Sequence, residues 1–185
     1  MRDPENLLRL RRKHGDGRPL DVDADDGARL VRAQSLRNAF MASLIVFVVF
    51  CIAWVALTSA TGRVFPWLTV ALGWLTGIAV RRAGRGVDWR FPLVAGVVTL
   101  FGCVGSNVVL AASTTAAEFG TGTLDILRAV TTMTWPVFFD EVWNIGDSFY
   151  AVFSAGLAAV LAPRKLTRSQ YFALRLWRRR SDGHD

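Results

Sequence analysis

Ala39–Thr61, AFMASLIVFVVFCIAWVALTSAT, is the stretch that decides the fold, because twenty-three consecutive residues carry no charge. A hydrocarbon core of about 30 Å takes about 20 helical residues, so this run is long enough to cross a bilayer. It follows 38 largely polar residues and exceeds the apolar core of a signal peptide, which argues for a retained span.

Two further charge-free windows, Val64–Val80 and Phe91–Ser113, stand beside it, and a fourth apolar region begins near Val142 and ends at Ala162. Apolar residues make up 52% of the 185, and their gathering into runs of this length is not the pattern of a soluble domain. The expected fold is all-α: a polytopic membrane protein built as a four-helix transmembrane bundle. Its spans fall near 39–60, 64–80, 91–113 and 142–162, within a membrane domain over 39–163 that carries an outer loop at 114–141. Residues 1–38 form an N-terminal segment and 164–185 a basic amphipathic tail.

Charge sets the expected orientation. Nine Lys or Arg precede the first span, four lie between the second and third, and seven follow the fourth, leaving only Arg63 and Arg128 on the other side. Excess positive charge marks the cytoplasmic side, so both termini are expected inside a bacterial inner membrane. Glu118, Asp125, Asp140, Glu141 and Asp147 then fall on or near the outer surface. Trp67, Trp135 and Trp143 suit the outer interface and Trp89 the inner one.

The first three spans hold no ionisable side chain other than cysteine, which counts against a proton pump with a midplane acid. Asn107 lies about 24 Å from the cytoplasmic end of its span, and Asp147 about 22 Å from the same face, at 1.5 Å per residue. A polar cluster of Asn107 with Asp147 or Asn144 is therefore expected in the outer part of the bundle. The alternative is a solvated Asp147, with Asn107 bonded to a neighbouring backbone carbonyl.

Thr134 and Pro136 suit a helix start, and the residues after them read as an amphipathic helix running straight into the fourth span. Trp135, Asp140, Glu141 and Trp143 make its outward end a candidate surface for a partner protein. Small residues supply close-packing faces: Gly73 and Gly77 in GxxxG spacing, Gly102 with Ser106, and Ala151, Ala155 and Ala159. Internal packing is the preferred reading of these faces, and a dimer seam the other.

In the tail, Arg175, Trp177, Arg178, Arg179 and Arg180 are candidate lipid-headgroup contacts, and a nucleic-acid partner is not expected. The acidic run Asp21–Gly27 is read as a solvated linker. As a calcium loop it would place its glycine one position late and Arg32 where glutamate is required.

No catalytic signature, P-loop or dinucleotide fingerprint occurs, and His14 and His184 both lie in polar tails. Asp140 and Glu141 point about 100° apart on a helix and make a poor acid–base pair. Cys51 and Cys103 sit inside spans without a disulfide or zinc spacing and read as small buried hydrophobes. Neither a catalytic residue, nor a metal, nor a cofactor is expected.

Two runs, Arg81–Leu110 and Asp125–Ala155, carry short motifs: Gly84, Gly86 and Asp88; then Gly102, Cys103, Gly105 and Asn107; then Phe139 and Asp140. In these the chain resembles a family of small, uncharacterised bacterial inner-membrane proteins with four spans, a GKGxD-like loop and an LLGCxxGN-like third span. It departs from that pattern at Ser106 and in the additional acid Glu141. The resemblance implies the topology and assigns no reaction.

The expected function is that of a non-enzymatic accessory subunit that binds another membrane protein or itself, with lipids as its other partner. A small transporter or channel subunit is the first alternative, with Asn107 and Asp147 lining its path. A lipid-modifying enzyme is the second.

Overall fold

The computed structural model describes residues 23–129, 136, 140 and 143–182. Seven helices and no strand occur among them: α1 (Ala24–Arg32), α2 (Leu36–Thr61), α3 (Leu68–Gly84), α4 (Arg90–Phe119), α5 (Thr123–Ala129), α6 (Ile145–Leu161) and α7 (Arg168–Asp182). The chain divides into two units, one of residues 31–165 and one of residues 1–30 with 166–185.

Local chemistry sets the helix ends. The Ser35 side chain accepts the Asn38 N–H at 3.2 Å to open α2. Gly62 (φ 64°) and Gly120 (φ 63°) close α2 and α4 in the left-handed region that glycine enters without a Cβ penalty. α2 (26 residues) and α4 (30 residues) are the helices long and apolar enough to cross a membrane.

Of the other two expected spans, α3 keeps the expected length but is shifted along the chain, and α6 is shorter than its sequence window. α3 begins at Leu68 rather than Val64: a proline disfavours helical geometry in the residue before it, here Phe65, and the Pro66 carbonyl accepts the Thr69 hydroxyl at 2.8 Å. α3 and α6 have 17 residues each, about 25 Å of helix. α6 starts at Ile145, because Asn144 is extended (φ −117°, ψ 172°). The expected continuous helix from Thr134 into the last span is therefore interrupted there. α4 runs six residues beyond its expected end at Ser113 and stops only at Gly120.

Within the larger unit, α3 packs on α2 and α6, and α4 packs on α2, α3 and α6. Two layers of core result. Ala39, Val80, Phe91, Ala95, Ala158 and Ala162 form one. Phe50, Trp54, Leu72, Cys103, Leu110 and Ala151 form the other. The α3–α6 crossing depends on Gly73, where a Cβ would collide with the Ser154 main-chain oxygen. That approach also lets the Ser154 hydroxyl donate to the Thr69 carbonyl at 2.6 Å. Gly77 continues the seam against Leu161 and Ala158. Gly102 faces Leu72 and Phe47, and Ala151 is fully enclosed.

One junction gathers the helix ends near residues 84–87. The Gly84 carbonyl accepts the Ser35 N–H at 3.0 Å and the Gly86 carbonyl accepts the Arg164 N–H at 3.1 Å. The Gln34 side chain accepts the Val87 N–H at 3.3 Å. The Phe91 ring lies so close that a Cβ on Gly86 would fall on it. Glycine there has a steric cause, and the two main-chain bonds tie both flanks of the bundle to the loop between α3 and α4.

In the smaller unit, a Cβ on Gly27 of α1 would come within 2.5 Å of the Ala173 main-chain oxygen of α7. Asp25 and Arg180 form an ion pair at 3.8 Å.

Candidate functional site

The polar side chains buried in the bundle spend most of their donors on main-chain carbonyls. Asn107 is 8% exposed, and its Nδ2 donates to the Cys103 carbonyl one turn back on α4 at 3.0 Å. Ser106 donates to the same carbonyl at 3.0 Å, and Ser43 to Ala39 at 2.8 Å. This is the local bonding that Ser and Asn use inside apolar helices when no water competes.

Asp147 is 7% exposed, so it is not the solvated carboxylate of the alternative reading. Its Oδ2 accepts the Asn144 N–H at 3.1 Å, while Asn144 Oδ1 accepts the Asp147 N–H at 3.0 Å. The pair is a reciprocal capping box at the start of α6. A carboxylate in the first turn also meets the positive end of the helix dipole. The structure thus joins Asp147 to Asn144 and gives Asn107 a partner on its own helix. No hydrogen bond links Asn107 to either.

Trp143 lies just before this cap. Its indole N–H donates to the Ser148 hydroxyl at 2.8 Å, and its ring packs on the core layer that contains Trp54 and Leu110. It is half-buried, turned inward more than a free partner surface requires. Asp140 is exposed. Trp135, Phe139 and Glu141 lie outside the described residues.

Four buried donor or acceptor atoms have no partner among the described residues: Gln34 Nε2, Trp54 Nε1, Thr58 Oγ1 and Thr99 Oγ1. Trp54 and Thr58 are one turn apart on α2 and share a face. Sequence reading passed over them because an indole and two hydroxyls carry no charge to mark them.

Also absent from the sequence reading is a shallow apolar groove of about 570 Å³ between α4 and α6. Leu93, Gly96, Val97, Val152 and Gly156 line it together with exposed Trp89. Ala155 also lines it, half-buried, with its main-chain oxygen toward Gly96. Its lining residues come from two segments about 60 residues apart, which gave no local signal.

In the smaller unit Arg175, Arg178, Arg179 and Arg180 are exposed, whereas Trp177 is half-buried against Gly27. Cys51 and Cys103 are buried free thiols. Among the described residues no group of three or more His, Cys, Asp or Glu is placed to hold a metal ion.

Searches against family models, curated proteins and solved structures return no match to this chain.

Proposed function

We propose that this chain is an integral protein of the bacterial cytoplasmic membrane, crossing it four times with both termini inside, and that it serves as a non-enzymatic, partner-binding accessory subunit. The observation that carries the membrane reading is the inverted distribution of side chains. Ile45, Ile52, Phe101, Val152, Phe153 and Val160 are exposed, while Ser43, Thr69, Thr76, Thr99, Ser106 and Ser154 are buried. A water-soluble bundle would bury the first set and expose the second. In lipid the outward face gains by being apolar, and small or self-bonded polar residues inside permit close helix contact.

On this reading α3 and α6 cross as well as α2 and α4. They are short helices, but α3 ends in Arg81 and Arg82, whose long side chains reach the interface, and short spans are accommodated by local thinning. The accessory role is supported by a core whose buried Ser and Asn donors are taken by main-chain carbonyls.

A channel or transporter subunit is the second reading. The unpartnered Trp54, Thr58 and Thr99 atoms are the observation on its side. Affinity purification in mild detergent separates the two. A stoichiometric second protein that remains bound supports the accessory role, and a homogeneous oligomer of this chain alone overturns it.

A further inference from the structure

Helix α7 has two faces with different surroundings. On one, Ala173 and Leu174 are buried and Trp177 is half-buried, and Gly27 allows α1 to lie against Ala173 and Trp177. Arg180 is drawn toward Asp25. At 100° per residue, Arg168, Tyr171, Phe172, Arg175 and Arg179 fall on the other side. All five are exposed, Tyr171 by 58% and Phe172 by 47%. None of these three guanidinium groups has an ion-pair partner among the described residues.

We propose that this face docks on an anionic phospholipid surface. Two aromatic rings flanked by three unpaired arginines match the headgroup region in both of its properties. Rings of this kind favour the interface, and guanidinium forks bind phosphate oxygens in pairs. An isolated cationic patch would serve any polyanion. The exposed rings and the chain tether favour lipid: six residues separate α6 from α7, a reach of roughly 20 Å when extended. The tether rests on the membrane reading of α6 given above.

The contact set differs from one read off the basic run of the tail. Arg168, Tyr171 and Phe172 enter it, while Trp177 and Arg180 leave it for α1. α1 thus holds the helix in a fixed rotation, with its lipid-binding side outward.

The test uses the full chain in nanodiscs of phosphatidylcholine with or without phosphatidylglycerol, with an environment-sensitive fluorophore at Leu176→Cys, an exposed position beside the face. The native thiols are buried and stay unlabelled under native conditions. Blue-shifted emission quenched by bilayer-borne quencher is expected only with phosphatidylglycerol, and high salt should reverse it. Each arginine near an anionic surface is worth about a fivefold change in partitioning, so Arg168→Gln/Arg175→Gln/Arg179→Gln should lower the docking equilibrium constant on the order of a hundredfold. The corresponding triple Lys variant should retain docking, which separates charge from folding. Equal emission in both lipids, or in the Gln variant and the parent, would overturn the proposal. So would displacement of the probe by single-stranded RNA in place of lipid. Failure of the chain to co-elute with nanodiscs would overturn the membrane reading and this proposal together, whereas co-elution without lipid dependence overturns this proposal alone.

Discussion

Replacing Asp147 separates a cap from a cross-helix polar cluster. Asp147→Ala removes the acceptor for the Asn144 N–H at the start of α6, and Asn144→Ala removes the acceptor for the Asp147 N–H. Loss of an N-terminal cap costs about 1 kcal/mol, within a range of roughly 0.5–2. For a chain of this size about 1 kcal/mol lowers Tm by about 2–4 °C. Asp147→Asn keeps a side-chain acceptor and should lose less than half as much. Asn107→Ala removes a bond to the Cys103 carbonyl, a carbonyl that Ser106 also serves, so its cost should stay near or below about 1 kcal/mol. Because Asn107 and Asp147 each bond within their own helix, the double variant should equal the sum of the singles within about 0.5 kcal/mol. Thermal unfolding of the parent and the five variants in one mild detergent measures all of this. A neutral Asp147→Ala would remove the capping account. A coupling above about 1 kcal/mol would show that the two side chains meet across the bundle after all.

Other substitutions probe the glycine contacts and the α3–α6 bond. Gly86→Ala places a methyl group on the Phe91 ring and should cost about 1–3 kcal/mol, with partial recovery in a Gly86→Ala/Phe91→Leu double variant. Gly73→Ala drives a methyl into Ser154 main chain and should be among the most damaging changes in the bundle, seen as lost monodispersity in size-exclusion chromatography. Gly102→Ala meets only the ends of Leu72 and Phe47, at 3.3 and 3.4 Å, and should be tolerated within about 1 kcal/mol. Ser154→Ala leaves the Thr69 carbonyl without its cross-helix donor and should lower stability by about 1 kcal/mol in the same detergent assay.

Composition and charge made the helical class and the two long apolar helices legible, because uninterrupted runs such as Ala39–Thr61 leave little choice of structure. Helix ends were less so. The Pro66 turn and the Asn144 cap depend on one proline and one Asn–Asp pair, and both lie inside windows whose average hydropathy is high. Depth counting placed Asn107 and Asp147 at similar levels, but it says nothing of rotation about the helix axis, and rotation decides whether two side chains meet. The motif of Gly84, Gly86 and Asp88 was visible in the sequence. Its physical cause, the Phe91 ring seated against two glycines, needed three dimensions. So did the α4–α6 groove, whose lining comes from segments distant in sequence.

The orientation of the two chain ends and of the turn after α4 tests the account most directly. In paired fusions, a fluorescent protein at Asp185 should fold and fluoresce in the cytosol, and alkaline phosphatase inserted between Thr121 and Gly122 should be active outside. A fluorescent insertion after Thr121, or a phosphatase active when fused at Asp185, would contradict four crossings with both termini inside.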